Sequence, residues 1–343
     1  MGTFRGAAGT LRQAYLTRVL GALVMAIVAY AIVPGIIHAG PTFFFRILVI
    51  GIATGAIYAL IALGYTMVYG IIELINFAHG DVFTLGAFIS LPVLAAFNLK
   101  EGVPLGVRGV MLLLATFAIV MLIDGVINLV IEKVAYRPLR NAPRLAPLIT
   151  AVGMSFILEG IMFVWKGPFN LHYPNLLPDS PVSAGFFRAS SKDLIVVAVA
   201  VVLVAALAIF INVSKLGKAM RATAQDRDAA RLMGINIDRV ISATFFIGAA
   251  LAAAGGIIYG LYVNSVNNTL GFNAGLVAFT AAVFGGIGNI PGAALGGLAI
   301  GLIRAFSDGY GQTTWTDPVT FAVLIMVLVF RPSGLLGMRV PEK

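Results

Sequence analysis

The stretch Ser214 to Arg239, S-K-L-G-K-A-M-R-A-T-A-Q-D-R-D-A-A-R-L-M-G-I-N-I-D-R, is the longest charge-rich run in an otherwise apolar chain. Six bases (Lys215, Lys218, Arg221, Arg227, Arg231, Arg239) and three acids (Asp226, Asp228, Asp238) lie between two hydrophobic segments. Lys and Arg in short loops resist translocation, so this run reads as a cytoplasmic loop between membrane spans. It also reads as locally helical. Asp226 and Asp228 suit a helix N-terminus, where negative charge is favoured, and Gly234 follows Leu232-Met233 where a helix would stop. Such a helix is either a docking element for a soluble partner or part of a solvated basic loop that only sets topology.

Composition supports the membrane reading. Of 343 residues, 60% are hydrophobic and 11% charged, against about 25% charged in soluble domains. The net charge of +9 gathers in a few loops, so it does not indicate nucleic-acid binding. There are no cysteines, which excludes disulfides and thiolate chemistry, and His38, His79 and His172 are too scattered to suggest a metal site. Arg5, Arg12 and Arg18 precede an apolar run from Val19 to Ile37 that is longer than a signal-peptide core and reads as a retained first span.

A span needs about 20 mostly apolar residues. Spans are expected near 19–37, 47–69, 82–98, 109–131, 145–165, 193–213 and 240–263. The region from Phe272 to Ile303 is too long and glycine-rich for one helix. Gly285-Gly-Ile-Gly-Asn-Ile-Pro291-Gly292 would break it, predicting short helices near 272–287 and 291–304, with a last span near 318–330. With ten spans and the N-terminus inside, segments 1–18, 132–144, 214–239 and 331–343 carry 16 of the 23 Lys and Arg, placing both termini in the cytoplasm. The non-cytoplasmic loop Lys166–Lys192 either docks a solute receptor or caps the helices. Gly51/Gly55, Gly256/Gly260, Gly292/Gly296 and Gly297/Gly301 are spaced for close helix packing.

Catalytic machinery is not expected. Gly217-Lys218 lacks the rest of a phosphate-binding loop, Gly286-Ile-Gly288 lacks a preceding strand, and no triad or carboxylate pair shares a face. No cofactor or metal is implied, and any ATP-driven motor must be another subunit. Polar groups do cluster in Glu73-Leu-Ile-Asn-Phe-Ala-His-Gly-Asp81 at membrane depth. Asn76, Phe77, His79, Gly80 and Asp81 are candidates to line a passage, with Asp81 as a helix N-cap the alternative. Asp124 and Glu159 lie inside spans, as a proton-coupled carrier would need or as hydrogen-bonded structural acids.

Asn76-Phe-Ala-His-Gly-Asp81, preceded by Gly55-Ala-Ile-Tyr-Ala-Leu-Ile-Ala-Leu-Gly64, resembles the membrane permease of branched-chain amino acid ABC importers. So do Tyr136-Arg-Pro-Leu-Arg140 with Ala142-Pro-Arg-Leu-Ala-Pro147, Gly217-Lys-Ala-Met-Arg-Ala-Thr-Ala224, Phe284-Gly-Gly-Ile-Gly-Asn-Ile-Pro-Gly292 and Phe330-Arg-Pro-Ser-Gly-Leu-Leu-Gly337. The resemblance implies an all-α polytopic bundle with inverted repeats, over about 47–165 and 240–330, and broken or re-entrant helices. Residues 1–46 would be an added N-terminal segment and 47–343 the permease domain of a bacterial inner-membrane protein. It implies a second homologous permease, two cytoplasmic ATPase subunits and an extracytoplasmic substrate-binding protein. Gln225, Asp226, Asp228, Ala229, Arg231 and Gly234 would then belong to the element that couples to the ATPase. The implied substrates are leucine, isoleucine and valine, imported by alternating access. A permease of the same family for amides or urea, and an ion-coupled secondary transporter, are the alternatives.

Overall fold

In the computed structural model, residues 40–72 and 76–337 are described, apart from 104, 141, 144, 186, 312 and 332. The expected span over 19–37, Glu73, and the tail residues Arg339 and Lys343 lie outside the described residues. Each expected span between 47 and 330 is helical, and several helices outrun their hydropathy because polar caps, not apolar limits, end them. The helices are α1 (Gly40–Ile72), α2 (His79–Ala96), α3 (Val107–Ile131), α4 (Leu145–Lys166), α5 (Ser191–Val213), α6 (Lys215–Gln225), α7 (Arg227–Leu232), α8 (Ile237–Val263), α9 (Leu270–Gly285), α10 (Ile290–Tyr310) and α11 (Thr316–Phe330). Eight of these, some with a short helical extension, are long and apolar enough to cross a membrane, and α9 is a shorter apolar helix. The all-α polytopic class is thus as expected.

Caps explain the boundaries. Ser190 and Asp193 form a reciprocal capping box at α5, and Ser214, Asp226, Asn236 and Asn289 each accept backbone N–H groups at the starts of α6, α7, α8 and α10. The predicted break is present. α9 ends at Gly285, Gly286 and Gly288 take φ of +110° and +87°, and Pro291 falls in the first turn of α10. The residues after α11 fold back onto this turn, where Leu335 and Leu336 donate to the carbonyls of Phe284 and Gly285. α3 continues through a π-helical turn, Glu132–Tyr136, and a 3₁₀ turn, Arg137–Leu139.

The bundle has an inner and an outer layer. In α1 and α8, 72% and 78% of the apolar stretch is buried, against 22% in α3, α4 and α5, which turn most of their apolar surface to lipid. The inner helices approach through small residues. Gly51 and Gly55 on α1 face Leu302 and Leu298 of α10, Gly301 faces Gly55, and Gly297 faces Ala59. On α8, Gly256 abuts α2 at Phe83 and Ala87.

The bundle has two distinguishable ends. At one, Arg227 donates to the Ile71 carbonyl of α1 at 2.7 Å, and Arg137 and Arg140 meet Asp238 in the first turn of α8. At the other, β1 (Leu171–His172) pairs antiparallel with β4 (Ser265–Val266) just beyond α8, near the hairpin of β2 (Pro181–Ala184) and β3 (Phe187–Ser190). α1 therefore ends where α8 begins, and the two run in opposite directions. Each is followed by a six-residue link and a shorter helix. Gly80 and Gly271 are each the second residue of that helix, and Asn76 and Asn267 each lie three residues before it. The two glycines face one another, since a Cβ on Gly80 would strike Gly271 and would lie 2.7 Å from the Gly275 Cα.

Candidate functional site

Polar side chains come together at three levels of this frame. At the inner-facing axis, α2 begins at His79 with Ala78 as its N-cap and no side-chain cap bond, so Asp81 is not the N-cap that the sequence allowed. Asp81 is instead fully buried in the first turn, where the Ser155 hydroxyl of α4 donates to one carboxylate oxygen. Glu159, one turn beyond Ser155 on the same face of α4, is half-buried and close enough to act on Asp81 through its charge. The other Asp81 oxygen has no hydrogen-bond partner among the described residues. Asn76 accepts from the Tyr136 hydroxyl at 2.6 Å, while the half-buried Phe77 leans on Phe279 with ring centroids 6.0 Å apart. The His79 ring fills a notch made by Gly64 and Gly248 and meets Tyr65 edge-on at 4.8 Å. The structure thus unites Asn76, His79, Gly80 and Asp81, but as packed groups. None of the four cavities described below is lined by them.

A second polar line runs along α3. Asp124, Asn128, Glu132 and Tyr136 follow at four-residue spacing and are all buried. Asn128 donates to the Phe245 carbonyl of α8 at 2.8 Å, and Glu132 accepts from Ser242 at 2.7 Å and pairs with Arg140. Asp124 stands at the head of the line, fully buried, with no partner for either oxygen among the described residues. It therefore forms no hydrogen bond to a neighbouring helix among the described residues, contrary to the structural-acid reading.

At the end bearing the 214–239 loop, α7 is the predicted short helix, and α6 precedes it as a second helix that the sequence reading did not separate. Asp226 caps α7 by accepting from the N–H groups of Asp228 and Ala229 at 2.9 and 3.0 Å. Gly234 takes φ +81°, which closes the helix in a conformation other residues resist. Gln225, Asp226, Asp228, Ala229, Arg231 and Gly234 are exposed, whereas Ala230 is buried and Arg227 ties the loop to α1. The residues missed by sequence reasoning are Leu232 and Met233, 89% and 82% exposed, an apolar knob at the end of α7. Their signal was two large apolar residues in a helix too short to bury them.

The opposite end is open. The Lys166–Lys192 loop caps the helices there. Tyr173 is buried against Gly260 and shares a 2.7 Å hydrogen bond with Ser90, and burial raises its pKa so that the hydroxyl stays neutral. Beside it lies a cavity of about 740 Å³ lined by Arg46, Asp179, Arg188, Lys192, Asp193 and Tyr262, among others. The Lys192 ammonium is held by two neutral acceptors, Asn264 at 2.5 Å and Asn175 at 3.3 Å. Two further cavities of about 330 and 380 Å³ share Tyr58 and Arg304 as walls. A fourth, about 580 Å³, is an apolar crevice between α3, α5 and α8.

Comparison with known proteins extends this picture to the whole chain. Residues 47–328 match the model of the family described as branched-chain amino acid transport system / permease component. The chain is 44% identical over 297 residues to the high-affinity branched-chain amino acid transport system permease protein LivH of Escherichia coli (strain K12), covering 85% of this chain and 95% of that protein. It is 44% identical over 303 residues to the corresponding permease protein BraD of Pseudomonas aeruginosa, covering 86% and 96%. A shorter match, 29% over 141 residues, links it to the probable branched-chain amino acid transport permease protein LivM of Methanocaldococcus jannaschii, covering 37% and 40%. No solved structure matches. The chain belongs to the family of branched-chain amino acid transport system permease components.

Proposed function

We propose that this chain is the transmembrane permease subunit of an ATP-driven importer that moves branched-chain amino acids into the cytoplasm by alternating access. The observation that carries this reading is the 44% identity, over 95% of the relative's length, to a protein named as a high-affinity branched-chain amino acid transport system permease. The chain is a transport subunit and not an enzyme. Hydrolysis belongs to two separate ATPase subunits, which seat the exposed face of α7 through Gln225, Asp228, Arg231 and the Leu232-Met233 knob. The partial likeness to a second named permease supports pairing with a distinct homologous subunit. A substrate-binding protein delivers the amino acid to the end bearing the β2–β3 hairpin, which faces away from the cytoplasm. Both termini are cytoplasmic, and the protein sits in the bacterial inner membrane as the domain 47–343 preceded by segment 1–46.

Within this reading, the turn at Asn76, Phe77, His79, Gly80 and Asp81 is the part of the translocation path that is shut in this conformation. The test is leucine uptake into vesicles holding the chain with its ATPase, second permease and receptor, with and without ATP and a proton ionophore. Uptake that needs ATP and survives the ionophore is the expected result. Uptake indifferent to ATP and collapsed by the ionophore would overturn the proposal in favour of an ion-coupled carrier using Asp124 and Glu159. Urea or an amide in place of leucine as the only imported solute would reassign the substrate.

A further inference from the structure

The 380 Å³ cavity is bounded by four helices of the bundle's interior and by α11. Tyr58 comes from α1, Tyr259 from α8, Val277 from α9, Arg304 from α10 and Asp317 from α11. Its volume, and that of the 330 Å³ cavity on the other side of Arg304, falls within the about 300–1,000 Å³ usual for small-molecule sites. Arg304 forms an ion pair with Asp317 at 2.6 Å, and its guanidinium lies 6.0 Å from the Tyr58 ring centre. That pair uses one of the five N–H donors of the arginine fork, and only one Asp317 oxygen is engaged. The rest of the wall is mixed: Asn267, Asn273 and two tyrosines stand beside an apolar patch that includes Ala274 and Val277 on α9 and Phe321 on α11. One fixed cation, one fixed anion and an apolar patch in one small cavity are the complement of a zwitterion with a branched side chain.

We propose that this cavity is a binding site for the free α-amino acid, with the carboxylate on Arg304, the ammonium on Asp317 and the side chain against Ala274, Val277 and Phe321. The inference rests on the proposed transport function and names where the substrate first meets the permease. Because Arg304 and Asp317 neutralise one another when the cavity is empty, a zwitterion exchanges one ion pair for two without changing the site's charge. An amino acid with a charged side chain would leave a charge uncompensated in a partly desolvated site, which is costly. Planar, two-pronged recognition of a carboxylate is what an arginine supplies and a lysine does not.

The test measures saturable binding of radiolabelled leucine to the importer assembly in lipid nanodiscs, without nucleotide and without the substrate-binding protein. Competitors are leucinamide, which lacks the carboxylate, and 4-methylpentanoate, which lacks the ammonium. Leucine is expected to bind, with both analogues about 10- to 100-fold weaker, as loss of a charge-assisted hydrogen bond predicts. Arg304→Gln and Asp317→Asn are expected to lose binding to a similar degree, and Arg304→Lys to restore only part of it. Asp317 is 66% exposed, so its variant tests the site without disturbing the core. Leucinamide competing as well as leucine, or Arg304→Gln binding leucine normally, would overturn the site. So would absence of saturable binding in an assembly that shows ATP-driven uptake once the receptor is added, which would leave the transport function standing. Absence of ATP-driven uptake by the wild-type assembly would remove both.

Discussion

The turns that enter α2 and α9 share a residue spacing and differ in what fills them. Both join a long buried helix to a shorter one, both place an asparagine three residues before the helix, and both put a glycine at its second position. In the first, Asn76 is bonded to Tyr136 and His79 is sunk between Gly64 and Gly248. In the second, Asn267 is half-buried, and Asn267, Leu270 and Asn273 border the 380 Å³ cavity. The first turn seats an imidazole and is closed over by the Tyr136 phenol, whereas the second borders open space. One sealed turn and one open turn are what the proposed alternating access would use.

The largest expected effect tests whether the two turns are equivalent. Gly80→Val and Gly271→Val should be about equally damaging, each costing on the order of 3 kcal/mol or more, because a β-branched side chain would press on backbone at both positions and at Gly271 also on the buried Asp81 carboxylate. Thermal unfolding in detergent measures this, and a tolerated Gly271→Val would break the equivalence. Next, the proposed coupling has the sealed turn open when the ATPase moves α7. Gly234→Pro, at a φ of +81° that proline cannot adopt, should lower ATP-dependent uptake about 10-fold or more while membrane insertion stays intact. Normal uptake by that variant would disconnect α7 from the path.

A smaller effect separates the two asparagines. Asn76→Ala leaves the buried Tyr136 hydroxyl without its acceptor and should destabilise the fold by about 1–3 kcal/mol, whereas Asn267→Ala should stay within about 0.5 kcal/mol. Equal losses in denaturation would mean that the outer turn is as tightly held as the inner one. The smallest effect is expected at Asp124→Asn. The substitution keeps shape and removes a carboxyl that bonds to nothing among the described residues, so stability should shift by about 0.5 kcal/mol or less. Uptake by this variant should remain ATP-dependent and indifferent to an ionophore.

Much of the frame was legible in the sequence because apolar length and glycine–proline punctuation are local properties. The break at Gly285–Gly292, the short helix of the 214–239 loop that became α7 and the arrest at Gly234 were all readable from residues within one or two turns. The site was less legible because its members come from distant helices. Asn76 drew attention as a polar residue at depth, but nothing local says that Tyr136 closes over it. Neither Arg304 nor Asp317 stands out in the sequence, and the packing of α10 against α11 is what makes them a pair beside a cavity. Asp81 was read as a possible cap because helix starts shift by a residue or two, and the observed start at His79 moves it inside the first turn.

The glycine seam between α1 and α10 has a mechanical consequence. Where Gly55, Gly297 and Gly301 bring backbone against backbone, short or absent side chains leave little to be withdrawn when one helix shifts along the other, although the Leu302 side chain lies against Gly51. The surface behaves as a plain bearing: it holds two parts in register across its width and resists motion along its length only weakly. An importer that must return to its starting shape at every turnover gains from such a joint, since wear in a machine of this size means a side chain caught in the wrong rotamer.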